Sequence, residues 1–331
     1  MKNAERRDVL RLFGALAVLP LPGMLASGPA RAQATGATVR LGYQFHLWGA
    51  PAVVALKKGI FASDGVKTTD KRFSSGVEAR NAMVAGAIDI GTVGLTPFVV
   101  GAAQGRMIAM AAVCYAGKSA VVMAKAGAGI KTVADLKGKK IASQVGSTLD
   151  NVFKKKIAPD AGLDPKDYTI VNVQFSDQVA ALAAGSVDAF LGLEPFCSIS
   201  EYRKIAVPVT DYYRYDIIPN MLAVTKEFSE RHPETCVSFM RSWLKAASLF
   251  QTQPDEVAKV MLDVYRESGY DIPVEVVKRV LSRLIVEPDF IPELKTSLVA
   301  EAESLKPAGQ LDRIPDPNAV LVPTFLAKAR A

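Results

Sequence analysis

The sequence predicts an α/β protein of two like lobes, each a doubly wound sheet with helices on both faces, followed by a helical C-terminal part. Three observations carry that expectation. Of 331 residues, 50% are hydrophobic, 22% charged and 8% aromatic, which is enough apolar surface for more than one core and too much for a disordered chain. Apolar runs of strand length alternate with helical runs, as in sheets covered by helices. One stretch is also written twice. Ala82-Met83-Val84-Ala85-Gly86-Ala87-Ile88-Asp89-Ile90 reads like Ala181-Leu182-Ala183-Ala184-Gly185-Ser186-Val187-Asp188-Ala189. Each copy is a small-residue helix closed by glycine, then a short strand with one Asp. Gly94-Leu95-Thr96-Pro97 matches Gly192-Leu193-Glu194-Pro195, displaced by one residue relative to the Asp.

The N-terminal 1–34 segment reads as an export signal of twin-arginine type. Arg6-Arg7-Asp8-Val9-Leu10-Arg11 forms a charged start, an uncharged stretch follows, and Ala30-Arg31-Ala32-Gln33-Ala34 offers small residues for cleavage. Pro20 and Pro22 interrupt the apolar stretch, which is short of the roughly 20 residues that span a bilayer. The formal net charge is +7, but Lys2, Arg6, Arg7, Arg11 and Arg31 leave with this segment. The one basic run beyond it, Lys154-Lys155-Lys156, reads as a solvated helix face, so nucleic-acid binding has little motive.

The first lobe, residues 35–116, opens with the strand Val39–Tyr43 and a helix over Pro51–Lys58, with proline in its first turn and Gly59 as its stop. Val66–Phe73 is the next strand. Ser75-Gly76-Val77-Glu78 has the form of a capping box and starts a helix that ends at Gly86. A strand at Ile88–Thr92, a helix at Pro97–Gln104 and a strand at Ile108–Tyr115 complete this part. The second lobe, residues 117–226, repeats the rhythm: strands at Lys139–Ser143, Thr169–Gln174 and Val187–Leu191, with helices from Thr148 and over Asp177–Ala184. Ala120–Lys125 and Met221–Lys226 look like paired strands beside the places where the chain passes between lobes. Residues 227–331 complete the first lobe with helices starting near Pro233, Pro254, Pro273 and Pro292; Trp243, Leu244, Ala247 and Phe250 share a packing face.

Chemistry of the usual catalytic kinds is not written here. Three cysteines (Cys114, Cys197, Cys236) lie far apart, and two histidines (His46, His232) lack metal-ligand spacing. No phosphate loop or nucleophile elbow occurs. In open α/β sheets ligands bind beyond the carboxyl ends of the strands, which selects Gln44–Gly49, Ser74–Gly76, Gly94–Pro97, Gly146–Thr148 and Glu194–Phe196. Helix starts there expose backbone N–H groups suited to an oxyanion, although ordinary capping explains each one singly. Trp48 can wall a ligand or pack the core; Glu194 can accept from a solute amine or cap a helix; His46 can donate to an anion or make a local contact.

These residues resemble the periplasmic solute-binding proteins of nitrate/sulfonate/taurine-type ABC importers. The likeness rests on Leu41-Gly42-Tyr43-Gln44, Gly59-Ile60-Phe61, Ser74-Ser75-Gly76-Val77-Glu78-Ala79, Gly86-Ala87-Ile88-Asp89-Ile90-Gly91, Asp135-Leu136-Lys137-Gly138-Lys139-Lys140-Ile141-Ala142, Gly146-Ser147-Thr148 and Glu194-Pro195-Phe196. The resemblance implies a type II periplasmic-binding fold with a two-segment hinge, a periplasmic monomer, and no cofactor, metal or catalytic residue. It implies capture of a small organic anion, sulfonate- or taurine-like, by lobe closure, and delivery to a permease in the inner membrane. The ligand contacts it implies are Gln44, Trp48, Ser75, Gly76, Thr96, Ser147, Thr148 and Glu194. A sensory receptor and an enzyme of the thiamine-pyrimidine-synthase type are the alternatives on this fold.

Overall fold

Strand β1 (Val39–Gln44) and strand β2 (Thr68–Phe73) pair in parallel from Val39–Thr68 to Gln44–Phe73. They belong to a computed structural model that describes residues 36–331 apart from Phe45 and Ala308. The expected export signal lies outside the described residues. The remaining strands are β3 (Ile90–Gly94), β4 (Met107–Tyr115), β5 (Ala120–Lys125), β6 (Lys140–Ser143), β7 (Thr169–Asn172), β8 (Ala189–Leu193), β9 (Ala206–Asp211) and β10 (Pro219–Thr225).

They form two five-stranded sheets, in the orders β2-β1-β3-β10-β4 and β7-β6-β8-β5-β9. Position by position the two orders correspond. The alternating pattern implies parallel strands, but each sheet is mixed. β10 runs antiparallel to β3 and β4, and β5 runs antiparallel to β8 and β9. These reversed strands follow directly on the chain's two passages between sheets, over residues 116–119 and 212–218. Both strands are apolar on both faces. In β10, Leu222 and Val224 join one core, while Met221 and Ala223 join the core beneath the helix Glu293–Leu305. One apolar core runs from Leu41 and Ile90 through Trp48 and Phe196 to Val122, Ile141 and Leu191 in the second sheet.

The written repeat has a mechanical role that explains why β3 and β8 each start two residues later than their apolar runs suggest. Arg40 N donates to Asp89 Oδ2 (2.9 Å), and Lys140 N donates to Asp188 Oδ2 (2.9 Å). The backbone carbonyls of the same two aspartates accept from Thr225 N (2.8 Å) and Lys125 N (3.0 Å). Each Asp therefore staples three strands at the same end of its sheet, and its own residue belongs to the turn. Asp89 also holds the Arg40 guanidinium through Nε (2.9 Å). Asp89→Ala is expected to cost about 2–3 kcal/mol and Asp188→Ala about 1 kcal/mol. Urea melts of the two variants check this; equal losses would remove the special role of the arginine.

The helical tail follows its prolines: Pro233–Thr252, Pro254–Glu267, Val274–Ser282 and Glu293–Leu305 all begin at or one residue after the expected position. Trp243 is fully buried and stacks on Phe239. No helix among the described residues is long and apolar enough to cross a membrane.

Candidate functional site: a seam and a side cavity between two sheets

The carboxyl ends of the central strands carry the polar groups that meet between the sheets. Gln44 ends β1 and is buried; its Oε1 accepts from Thr92 Oγ1 (2.8 Å) and Asn220 Nδ2 (3.2 Å), tying β1, β3 and β10 together. Its amide lies over Gly76, where a Cβ would sit 2.8 Å from Gln44 Nε2 and 3.0 Å from Gly94 N, so any side chain there would have to displace the Gln44 amide. Ser75 is the cap of helix Gly76–Val84, accepting from Glu78 N (3.3 Å). Ser147 caps the short helix Thr148–Val152 in the same way, through Asp150 N (3.2 Å).

Direct bonds cross from one half to the other. Thr96 N, at the start of helix Leu95–Ala103, donates to Thr148 Oγ1 (3.1 Å). A Cβ on Gly94 would fall 2.8 Å from that hydroxyl and 3.7 Å from the Trp48 ring. Gln174 Nε2 donates to Glu78 Oε1 (3.1 Å), and the Ser74 hydroxyl lies against the same Gln174 side chain. Burial pushes the Glu78 carboxyl up, but hydrogen bonds from the Ser74 hydroxyl, Gln174 and the Ser74 backbone outweigh it and hold the group below its usual range. Glu301, from the C-terminal part, accepts from Thr96 Oγ1 and from Asn151 Nδ2 (2.8 Å). Burial raises its pKa, only partly offset by those bonds.

Trp48 and Glu194 sit where the chain first passes between the sheets. Trp48 Nε1 donates to Ser119 Oγ (3.3 Å), Glu194 N to the Ser119 carbonyl (2.9 Å), and Leu47 N to the Glu194 carbonyl (3.1 Å). The Glu194 carboxylate is committed elsewhere. It accepts from Ser198 N (3.0 Å), Ser198 Oγ (2.8 Å) and Arg283 Nη1 (2.6 Å), capping helix Phe196–Tyr202 and pairing with a cation from the tail. Burial raises its pKa against these partners. Arg283 was not visible as a partner, because 89 residues separate it from Glu194.

All eight residues selected from the sequence are buried, and Gln44, Trp48, Gly76, Thr96 and Thr148 share one connected seam. The open volume beside that seam has a different lining. A cavity of about 410 Å³ is walled by His46, Arg72, Phe73 and Ser74 from the first half and by Ser176 and Phe196 from the second. Ser268 and Tyr270, in the turn between two tail helices, close it. His46, Ser74 and Phe196 fall inside the loops chosen by the strand-end rule; the turn residues carried no signal, since only tertiary packing brings them there. A larger volume of about 750 Å³ lies at the opposite end of the first sheet. It is a charged groove whose members pair with one another, Arg40 with Asp89, Arg231 with Glu227 and Lys226 with Glu230, and it is far from the strand ends where ligands bind.

Among the described residues no group of three or more His, Cys, Asp or Glu can hold a metal ion. All three cysteines are free and buried, and burial raises each thiol well above its ordinary pKa.

Comparison with known proteins fits this geometry. The chain is 30% identical over 253 residues to a putative aliphatic sulfonates-binding protein of Bacillus subtilis, covering 73% of each chain. It is 28% identical over 230 residues to the taurine-binding periplasmic protein of Escherichia coli, covering 67% of this chain and 69% of the relative. In three dimensions it superposes on the alkanesulfonate-binding protein of Xanthomonas axonopodis pv. citri bound to MOPS, with a TM-score of 0.76 and 24% identity, over 86% of this chain and 98% of that one. That similarity fixes the fold as the one shared by these binding proteins. The model of the NMT1-like family matches residues 32–263, and with two matched sheets joined by two passages the chain belongs to that family.

Proposed function

We propose that this chain is the periplasmic solute-binding component of an ABC importer and that it captures a small organic sulfonate between its two halves. The observation that carries the reading is the set of hydrogen bonds that exist only when the halves meet: Thr96 to Thr148, Glu78 to Gln174 and Glu301 to Asn151. A solute that touches both halves adds to this set only in the closed arrangement, and so shifts the population toward it. The closed form is then what a membrane permease receives. The starts of helices Gly76–Val84 and Leu95–Ala103 turn toward this seam, and their N–H groups favour an anion. Names of relatives support a sulfonate: one is described as binding aliphatic sulfonates and another as binding taurine. Because the Glu194 carboxylate is occupied by Ser198 and Arg283, the sulfonate group rather than an amine is the feature recognised.

Thermal melts of the secreted chain test this. Methanesulfonate, taurine, toluene-4-sulfonate and benzoate would each be added at increasing concentration. A solute at a hundred times its dissociation constant should add about 2.7 kcal/mol of stability. No rise with any of the three sulfonates would refute the reading, and a rise with benzoate alone would transfer it to carboxylates.

A further inference from the structure

We propose that His46 anchors the solute, its Nε2–H donating to a sulfonate oxygen while an apolar tail fills the adjoining cavity among Phe73, Phe196 and Tyr270. This rests on the sulfonate-binding reading and names the part of the solute that selectivity depends on. His46 is 2% exposed and lies in the cavity wall. Its ring is held edge-on between Trp48 of the first half (5.4 Å) and Phe175 of the second (5.7 Å), so it belongs to the closing surface itself.

The protonation pattern of the ring follows from its contacts. Nδ1 accepts from Trp48 N (3.4 Å), which places the proton of a neutral imidazole on Nε2. Burial lowers the His46 pKa to about 3, so the ring is neutral at any ordinary pH. Nε2 is buried and has no hydrogen-bond partner among the described residues. A buried donor without an acceptor is costly, and native proteins rarely keep one without a use. A ligand oxygen supplies the missing acceptor.

The cavity fixes the rest of the ligand. Arg72 is the one charged side chain among the eight that line it. Phe196 and Tyr270 meet edge to face at 5.9 Å and, with Phe73, make an apolar compartment too large for a bare oxyanion. A sulfonate bearing an aryl or a branched alkyl tail satisfies both the His46 donor and this compartment.

Calorimetric titration of toluene-4-sulfonate, methanesulfonate and inorganic sulfate into the wild type, His46→Asn and His46→Gln tests the proposal. Asparagine retains an acceptor for Trp48 N but does not reach the Nε2 position; glutamine places an amide N–H there. The wild type should prefer toluene-4-sulfonate to sulfate by at least about tenfold. His46→Asn should weaken toluene-4-sulfonate by about 10- to 100-fold, and His46→Gln by no more than about threefold. Equal affinity in the two variants, whether high or low, overturns the anchor, as does a wild type that binds sulfate as tightly as toluene-4-sulfonate. A wild type that binds none of the three probes refutes the sulfonate reading itself and the anchor with it.

Discussion

Lowering the pH from 6.5 to 4.5 is expected to remove roughly 2 kcal/mol of folding stability through His46 alone, and His46→Asn is expected to abolish that part of the loss. The sign follows from the direction of the shift. The native ring has its pKa lowered to about 3 by burial, against 6.5 in the unfolded chain. Between those values the unfolded chain takes up a proton that the native state refuses, so stability is complete above pH 6.5 and falls with pH below it. Glu194 and Glu301 act oppositely. Burial raises both above the unfolded value of 4.5, so their contribution grows as pH falls toward that value. The difference between wild type and variant separates the histidine from them. Urea melts at pH 7, 6, 5 and 4.5 should show the wild type losing roughly 2 kcal/mol more than the variant across this range, whatever the offset between them at pH 7; parallel curves would mean that the native ring is solvated.

Arg283→Met is expected to destabilise the protein by about 3 kcal/mol, because it strands a fully buried carboxylate. Glu194 is 0% exposed, while the Arg283 side chain keeps 25% of its surface in water. Glu194→Gln should therefore cost less, since the arginine can turn outward and rehydrate and still faces Glu201 at 3.6 Å. The double variant should recover most of the loss, giving a coupling energy of about 1–3 kcal/mol in a double-mutant cycle. Chemical melts of the four proteins measure it, and additive losses would show that Ser198 alone satisfies the carboxylate.

Much of this architecture could be read from residue patterns because local and tertiary preferences agree. β5 is bounded as its apolar run suggests, and tail helices start where proline removes an N–H that a first turn does not need. β9 (Ala206–Asp211) escaped notice because Pro208 and a mostly exposed face make it look like a loop; it is an edge strand, irregular in register between Val122 and Met123 of its neighbour. The reversed direction of β5 and β10 is invisible in composition, since a strand buried on both faces reads the same either way. At the site, strand-end loops were identifiable from topology alone. Which of their side chains face open space was not, and the turn bearing Ser268 and Tyr270 arrives from a helix pair far along the chain.

The two passages between the sheets each tie an outer strand of one to an inner strand of the other: β4 to β5, and β9 to β10. Sliding one sheet past its partner would drag an inner strand along its own axis and break ladders on both sides at once. Tilting only bends two short links, one gripped by the Trp48 indole through Ser119 and the other by Tyr212, whose hydroxyl donates to the Leu149 carbonyl (3.2 Å). Tilt is thereby the movement that these links oppose least, and the indole of Trp48 is bonded to one of them. Its fluorescence is expected to change when a solute that draws the halves together is added, and an unchanged spectrum would argue against bending at this link.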